Sequence, residues 1–493
     1  MEFEILGIIV AYYLIVLAIG FYCAKFTKTS LDYLVASHRF GVLLSTFCWF
    51  TTYFSAVSVF GFTGGVYRAG WSLLWLPCMW AMGSILGVAI AARLRRTRFI
   101  VPQEFFGIRF KAAGLQTLVA VLSIIAILIS LIVQLKAMGI VWSLALGRPF
   151  EEGVILATVV TLIYTVSGGL FAVAWTDVVQ GVLFTAVLVF GGIWILDKLG
   201  GVGALYAAAA AINTPPTIGA SPTPPGLLVT ALGLYTPFAV LTLYLNWTPG
   251  VAAHVRYTHT MQAAKNVKTA IIMYMISWPI LLVLYLCMGF VALGGRVLIP
   301  TMPKGMEIDW IFPLIFKTYM HPVMAGLLFA GLLAAAMSTI DHELQLSAAM
   351  ATVEVKTYYP KLSDKSLLWM ARALTVVLTV IAMIITFYPI GLIIEFSAYM
   401  WGILGISYFG PMFFGLYIKR INKLGATAGV LGGLIVFILW QALWGTRIYG
   451  IIPAGMGVLV SIVVTFLASY ATAPPPEEHW KPFFPTAGET KKR

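Results

Sequence analysis

The sequence predicts an all-α, polytopic membrane protein of about thirteen transmembrane helices, with its N-terminus outside and its C-terminus inside. Three observations carry that reading. Of 493 residues, 61% are hydrophobic and only 10% are charged, whereas a soluble domain carries about 25% charged residues. There is too little polar surface to cover the apolar runs in water. Thirteen apolar windows of the roughly 20 residues that cross the hydrocarbon are centred near residues 15, 53, 82, 129, 163, 188, 237, 281, 335, 378, 403, 434 and 461. With the N-terminus outside, the inside loops and tail hold 23 Lys and Arg and the outside loops seven, leaving Lys136 within segment 4. That asymmetry is the positive-inside pattern.

Segment 1, Ile5 to Ala24, follows Glu2 and Glu4 and precedes Lys25 and Lys28. A secretory leader begins with basic residues, so this segment reads as an uncleaved helix. Segment 2 lies in STFCWFTTYFSAVSVFGFTGG, Ser45 to Gly65, and carries Ser45, Thr46, Thr51, Thr52, Ser55, Ser58 and Thr63. Such hydroxyls serve either helix packing through small residues or a broken helix whose freed carbonyls line a cavity. Segment 3 stops at Arg93, Arg95, Arg96 and Arg98, where inside anchors belong. Segments 5 and 6 meet inside at SGGLFAVAWTD, Ser167 to Asp177. The glycine pair permits a tight turn, and Asp177 begins the next helix, as an N-cap or as a carboxylate free to meet an incoming cation.

The outside stretch 200–226 contains NTPPTIGASPTPPG and reads as an irregular Pro-rich loop; the other long outside stretch is Pro300 to His321. Segment 9 contains GLLAAAMSTIDHELQLS, Gly331 to Ser347, with Asp341, His342 and Glu343 in a row. Ionisable groups at that depth cost several kcal/mol unless they face water, an ion or a partner. Either the helix end already reaches water, or Ser338, Asp341 and His342, on one helical face, form a cation or proton site. The tail after Ala473 is polar and Pro-rich and is expected to be ordered only in part.

The net charge of +13 does not point to nucleic acid, because the excess sits beside apolar segments and does not interleave with aromatics on a polar surface. Cys23, Cys48, Cys78 and Cys287 have no metal-ligand spacing in sequence and read as packing residues. No nucleophile–base pair stands out and no soluble catalytic domain is attached, so the chain is not expected to be an enzyme.

GGLFAVAWTDVVQG (Gly168 to Gly181), AAAMST (Ala334 to Thr339) and the polar segment 2, in that setting, resemble the sodium:solute symporter family. Its members include sodium-coupled transporters of proline, pantothenate, monocarboxylates, sialic acid and sugars, and the resemblance covers essentially the whole chain. It implies a leucine-transporter-type fold of two inverted five-helix repeats, segments 2–6 and 7–11. The chain then divides into a leading helix and inside loop (1–40), a first repeat (41–199), the outside loop (200–226), a second repeat (227–417), two trailing helices (418–472) and a cytoplasmic tail (473–493). The first helix of each repeat is expected to unwind near the midplane. In segment 7 the sequence YLNWTPG, Tyr244 to Gly250, places Pro249, which lacks a backbone donor, at that point.

The family's sodium site maps onto the carbonyls of Thr51, Phe54 and Ala335 and the hydroxyls of Ser338 and Thr339. Neutral oxygens suit a hard monovalent cation. Asp177 and Asp341, with His342, match positions of a second cation site in some members; the alternatives are an exit path lined by Asp177 and a structural His–Asp cluster. The solute pocket is nominated as Tyr53, Ser55, Ser58, Asn246, Trp247 and Thr248, bounded by segments 2, 3, 7 and 11, with Arg256 as an anchor. The implied activity is sodium-coupled import of a small polar solute, a monocarboxylate or pantothenate-like acid or an amino acid, across the cell membrane. Its partners are the solute, sodium and the bilayer, with no nucleic acid and no obligatory protein partner. His342 and Glu343 depart from the family's usual small or uncharged residues and raise proton coupling as an alternative; a non-transporting receptor of the same fold is another.

Overall fold

The computed structural model describes residues 2–97, 99–213, 223–389, 391–446, 448 and 450–484. Arg98, Arg447, the heart of the Pro-rich loop (214–222) and the tail end (485–493) lie outside the described residues. Among those described there is no strand; Phe40 and Ala264 form an isolated bridge. The helices that matter below are α1 (Glu2–Ala24), α2 (Val42–Tyr53), α3 (Phe62–Ala69), α4 (Trp75–Leu94), α5 (Ala113–Leu146), α6 (Phe150–Lys198), α7 (Pro237–Ala252), α8 (Val255–Ala263), α9 (Val267–Leu298), α10 (Pro322–Tyr358), α11 (Asp364–Thr386), α12 (Ile393–Leu404), α13 (Lys423–Leu443) and α14 (Pro453–Ala471). Nine helices among the described residues are long and apolar enough to cross a membrane.

α10 is the core helix: 83% of its most apolar window is buried, against 22% for α11. This is why α10 can carry Ser338, Asp341, His342 and Glu343 with each at most 1% exposed. The alternative in which this end of the helix reaches water is therefore overturned. The helix continues to Tyr358, so the acidic stretch lies well inside it.

Segment 2 is broken. α2 ends at Phe54, whose backbone is extended (φ −86°, ψ 97°), and wide turns over Val57–Gly61 lead into α3. The break survives burial because the side chain of Gln134 on α5 takes over a lost helical bond: its Oε1 accepts from the Ala56 N–H at 2.7 Å. A buried amide without a partner costs about 1–3 kcal/mol.

Segment 7 behaves differently from expectation. α7 runs unbroken through Pro249, and the interruption falls at Ala253 and His254. His254 leaves the helical conformation and starts α8, its Nδ1 accepting from the Arg256 N–H at 3.1 Å. The cap, and not the proline, sets the break.

α6 holds segments 5 and 6 as two arms meeting at Gly169 (φ 57°, ψ −155°). A Cβ there would lie 2.7 Å from the Tyr33 ring and 3.0 Å from its Cα, so both the backbone angle and the space require glycine. The second arm begins at once, and Asp177 lies about two turns into it and is no N-cap. α13 and α14 pack through small residues: a Cβ on Gly429 would stand 2.0 Å from Thr465 Oγ1, the close approach typical of helix pairs in lipid. The described part of the tail docks. Phe483 is 2% exposed against Phe105 (ring centroids 5.2 Å apart) and Phe99 (6.3 Å), and Lys419 lies over Trp480.

Candidate cation and solute site

The α2 break faces the middle of α10. Ser338 Oγ donates to the carbonyl of Thr51 across the gap at 3.3 Å, and lies 3.2 Å from the Ala335 carbonyl. Thr339 Oγ1 is 3.5 Å from the same Ala335 oxygen. Thr51, Ala335, Ser338 and Thr339 are thus brought together, all buried. Phe54 marks the break itself, and its ring stacks on Phe184 at 5.1 Å. The gathered oxygens are carbonyls and hydroxyls without formal charge, a donor set for a hard monovalent cation.

One turn along α10, His342 Nδ1 stands 3.5 Å from Asp177 Oδ2 and 3.5 Å from Asp341 Oδ1, and 3.1 Å from its own helix carbonyl at Ser338. Tyr164 donates to Asp341 Oδ2 at 2.9 Å. Neither oxygen of Asp177 accepts a hydrogen bond from the described residues. The Thr51 hydroxyl donates instead to the Phe47 carbonyl at 2.7 Å. The Cys48 thiol, read from sequence as a packing group, also faces Asp177; the fold supplies a neighbourhood that spacing along the chain does not reveal.

The nominated solute residues divide. Tyr53 and Trp247 belong to an aromatic box: Tyr53 stacks between Trp49 (5.0 Å) and Tyr257 (5.2 Å), and Trp247 meets Trp80 (5.6 Å) and Trp401 (5.2 Å). The hydroxyls of Tyr53 and Tyr257, the indole N–H groups of Trp80, Trp247 and Trp401, and Asn246 Oδ1 have no partner among the described residues. Ser55 is buried in the break. Ser58 and Thr248 are spoken for, Ser58 Oγ by the Tyr285 hydroxyl (2.8 Å) and Thr248 Oγ1 by the Met79 carbonyl (3.0 Å). The sequence reading missed Trp49, Trp80, Tyr257, Tyr285 and Trp401; the density of aromatics was visible, but which of them converge was not.

Ion pairs bracket this region. On one side Arg256 reaches Glu343 at 2.7 Å, with side chains 1% and 0% exposed, so Arg256 is an anchor, on α8. On the other, a cavity of about 690 Å³ descends to Trp247 between Tyr235, Leu76 and Ala398, with Arg68 and Glu395 paired at its rim at 2.9 Å. Beside it Lys136 binds Glu307 (2.6 Å) and the Gly391 carbonyl (2.6 Å), and Asp309 Oδ2 accepts from the N–H of Ile393, the first residue of α12, at 2.9 Å.

The model of the sodium:solute symporter family matches residues 33–433. The chain is 28% identical to the osmoregulated proline transporter OpuE of Bacillus subtilis (strain 168), covering 98% of each. It is 25% identical to the sodium/proline symporter of Staphylococcus aureus (strain NCTC 8325 / PS 47), covering 95% of this chain and 92% of that one. Among solved structures it resembles a Na+-coupled sialic acid symporter in a substrate-bound outward-open state, with TM-score 0.75 and 18% identity over 96% of this chain and 98% of the other. It also resembles Mhp1, a nucleobase-cation-symport-1 family transporter, with TM-score 0.54 and 14% identity over 93% and 99% of the two chains. These likenesses establish a shared helical transporter fold.

Proposed function

Since the chain belongs to the sodium:solute symporter family, we propose that it imports a small amino acid, proline foremost, by sodium symport across the cell membrane. The observation that carries this reading is the Ser338 hydroxyl set on the Thr51 carbonyl across the break. It joins the two half-sites, with Ala335 and Thr339 beside them and Phe54 at the turn, where one sodium ion replaces hydroxyl hydrogen bonds with direct oxygen ligation. Full-length similarity to proline transporters favours the amino-acid alternative over the pantothenate-like acids.

The aromatic box suits such a solute. A secondary ammonium gains from aromatic faces, and a carboxylate takes the spare donors of Tyr53, Tyr257 and Trp247 without needing an arginine. Asn246 offers an acceptor. Ser55, Ser58 and Thr248 shape the wall from the break and from α7.

The proposed architecture is thirteen crossings, N-out and C-in: α1, the broken α2–α3, α4, α5, the two arms of α6, α7, α9, α10, α11, α12 with its extension, α13 and α14. Residues 41–199 and 227–417 form the inverted repeats. The cavity above Trp247 then opens outside, and the Arg256–Glu343 pair closes the inside. His342 stands where a second sodium would sit between Asp177 and Asp341, so we read one sodium per solute, with Asp177 lining the route inward.

Uptake of labelled proline into proteoliposomes tests this under separate sodium and proton gradients. Accumulation driven by sodium alone is expected. Accumulation driven only by a pH gradient would establish proton coupling instead, and binding without accumulation would make the protein a receptor of this fold.

A further inference from the structure

Cys48, Asp177 and His342 come from α2, α6 and α10, yet one ligand atom from each lies within 4.8 Å of the other two. They are 1%, 0% and 1% exposed. Both Asp177 oxygens have no hydrogen-bond partner among the described residues. Buried polar atoms left unsatisfied are rare and call for an occupant. Sodium does not fit this donor set, because a hard monovalent cation gains little from a thiol or an imidazole. A borderline-soft divalent ion binds this trio of donors well.

We propose that Cys48, Asp177 and His342 form a binding site for a transition-metal dication of the Zn2+ class, which pins α2 to α10 and arrests the transport cycle. Tetrahedral zinc holds N, O and S donors at about 2.0–2.3 Å, which sets the donors roughly 3.3–3.8 Å apart. His342 Nδ1 and Asp177 Oδ2 already stand at 3.5 Å, and the Cys48 sulfur lies within 4.8 Å of a ligand atom on each. Ligation through Nδ1 gives up its 3.1 Å contact with the Ser338 carbonyl and moves the ring proton to Nε2. Asp341 Oδ1, 3.5 Å from Nδ1, supplies a fourth ligand while Tyr164 holds its other oxygen. On binding, Cys48 forms a sulfur–metal bond and releases its thiol proton to water. The thiolate and the Asp177 and Asp341 carboxylates carry three negative charges against the two of the metal, leaving the site with a net charge of −1.

The arrest follows from position. Cys48 is one turn from Thr51 on α2, and His342 one turn from Ser338 on α10, so the metal clamps the two helices beside the Thr51–Ser338 contact. The arrest rests on the transport reading above; the metal site does not.

The test uses the purified full-length protein with Co2+ as a spectroscopic probe for Zn2+. One cobalt per chain is expected, with a thiolate-to-cobalt charge-transfer band that added Zn2+ abolishes. Cys48→Ala should lose the band, and Cys78→Ala, at an exposed thiol, should keep it. In proteoliposomes Zn2+ should slow wild-type proline uptake and leave the Cys48→Ala protein unaffected. Absence of the band in wild type, or its survival in Cys48→Ala, overturns the site. A wild-type band together with sodium-independent uptake would keep the site and refute the sodium-symport reading.

Discussion

Arg256 and Glu343 meet at 2.7 Å with side chains 1% and 0% exposed, joining the short helix after the α7 break to the middle of the core helix. Removing one member of such a pair strands a buried charge at a cost of about 3–5 kcal/mol, whereas replacing both with apolar groups can be neutral. Arg256→Met and Glu343→Leu should each lower the thermal denaturation midpoint clearly, and the double variant should recover most of the loss. Additive losses would mean that the two side chains act separately.

The Gln134 bond to the Ala56 N–H keeps the α2 break open. Gln134→Leu leaves that amide unpaired, at about 1–3 kcal/mol, so the break is held less firmly in the form proposed to bind sodium. The concentration of sodium for half-maximal uptake should rise about tenfold, with the protein still inserted. An unchanged sodium requirement would confine Gln134 to packing.

Replacing both Ser338 and Thr339 by Ala removes two of about five oxygens proposed to ligate sodium in a dry site. Sodium-dependent uptake should then need far higher sodium, while the yield of folded protein in membranes is maintained. Sodium dependence like that of wild type would exclude these hydroxyls.

With His342 between Asp177 and Asp341, wild type and Asp341→Asn should both transport one sodium per solute, measured from reversal potentials. A ratio falling from two to one in the variant would place a second sodium there.

Asp309, in the turn outside the spans, is pushed up to about 6 by burial, with the Lys136 ammonium opposing. Its neutral form is the one the fold favours. The resulting contribution to stability is fully present below the ordinary carboxylate value, near 3.9, and is lost as pH rises to about 6; the span is on the order of 3 kcal/mol. Asp309→Asn should flatten the pH dependence of the melting temperature between about pH 4 and pH 6. The same slope in both proteins would assign it to another group.

The membrane class and the residues of the α10 half of the proposed sodium site were legible because they depend on local signals. Twenty apolar residues read as a span wherever they occur, and Ser338 and Thr339 lie in a short motif. The segment 2 break was legible as a possibility, but its support comes from Gln134, on a helix that otherwise reads as plain. Pro249 was a misleading cue: a missing donor weakens one bond, and α7 tolerates that, whereas the break falls at Ala253 and His254, where His254 caps the start of α8. Cys48 and the aromatic box illustrate the harder limit. Residues such as Trp80, Tyr257 and Trp401 meet only through long-range packing, for which the spacing along the chain carries no signal.

The docked tail bears on how the molecule is made. Phe99 and Phe105 pack against Phe483, a residue translated long after them. Domains assemble from the N-terminus as the ribosome proceeds, so this aromatic patch stays uncovered until the intervening helices and Phe483 have been made. It is sealed only when Phe483 emerges, and a chain stopped before that residue would carry the patch open.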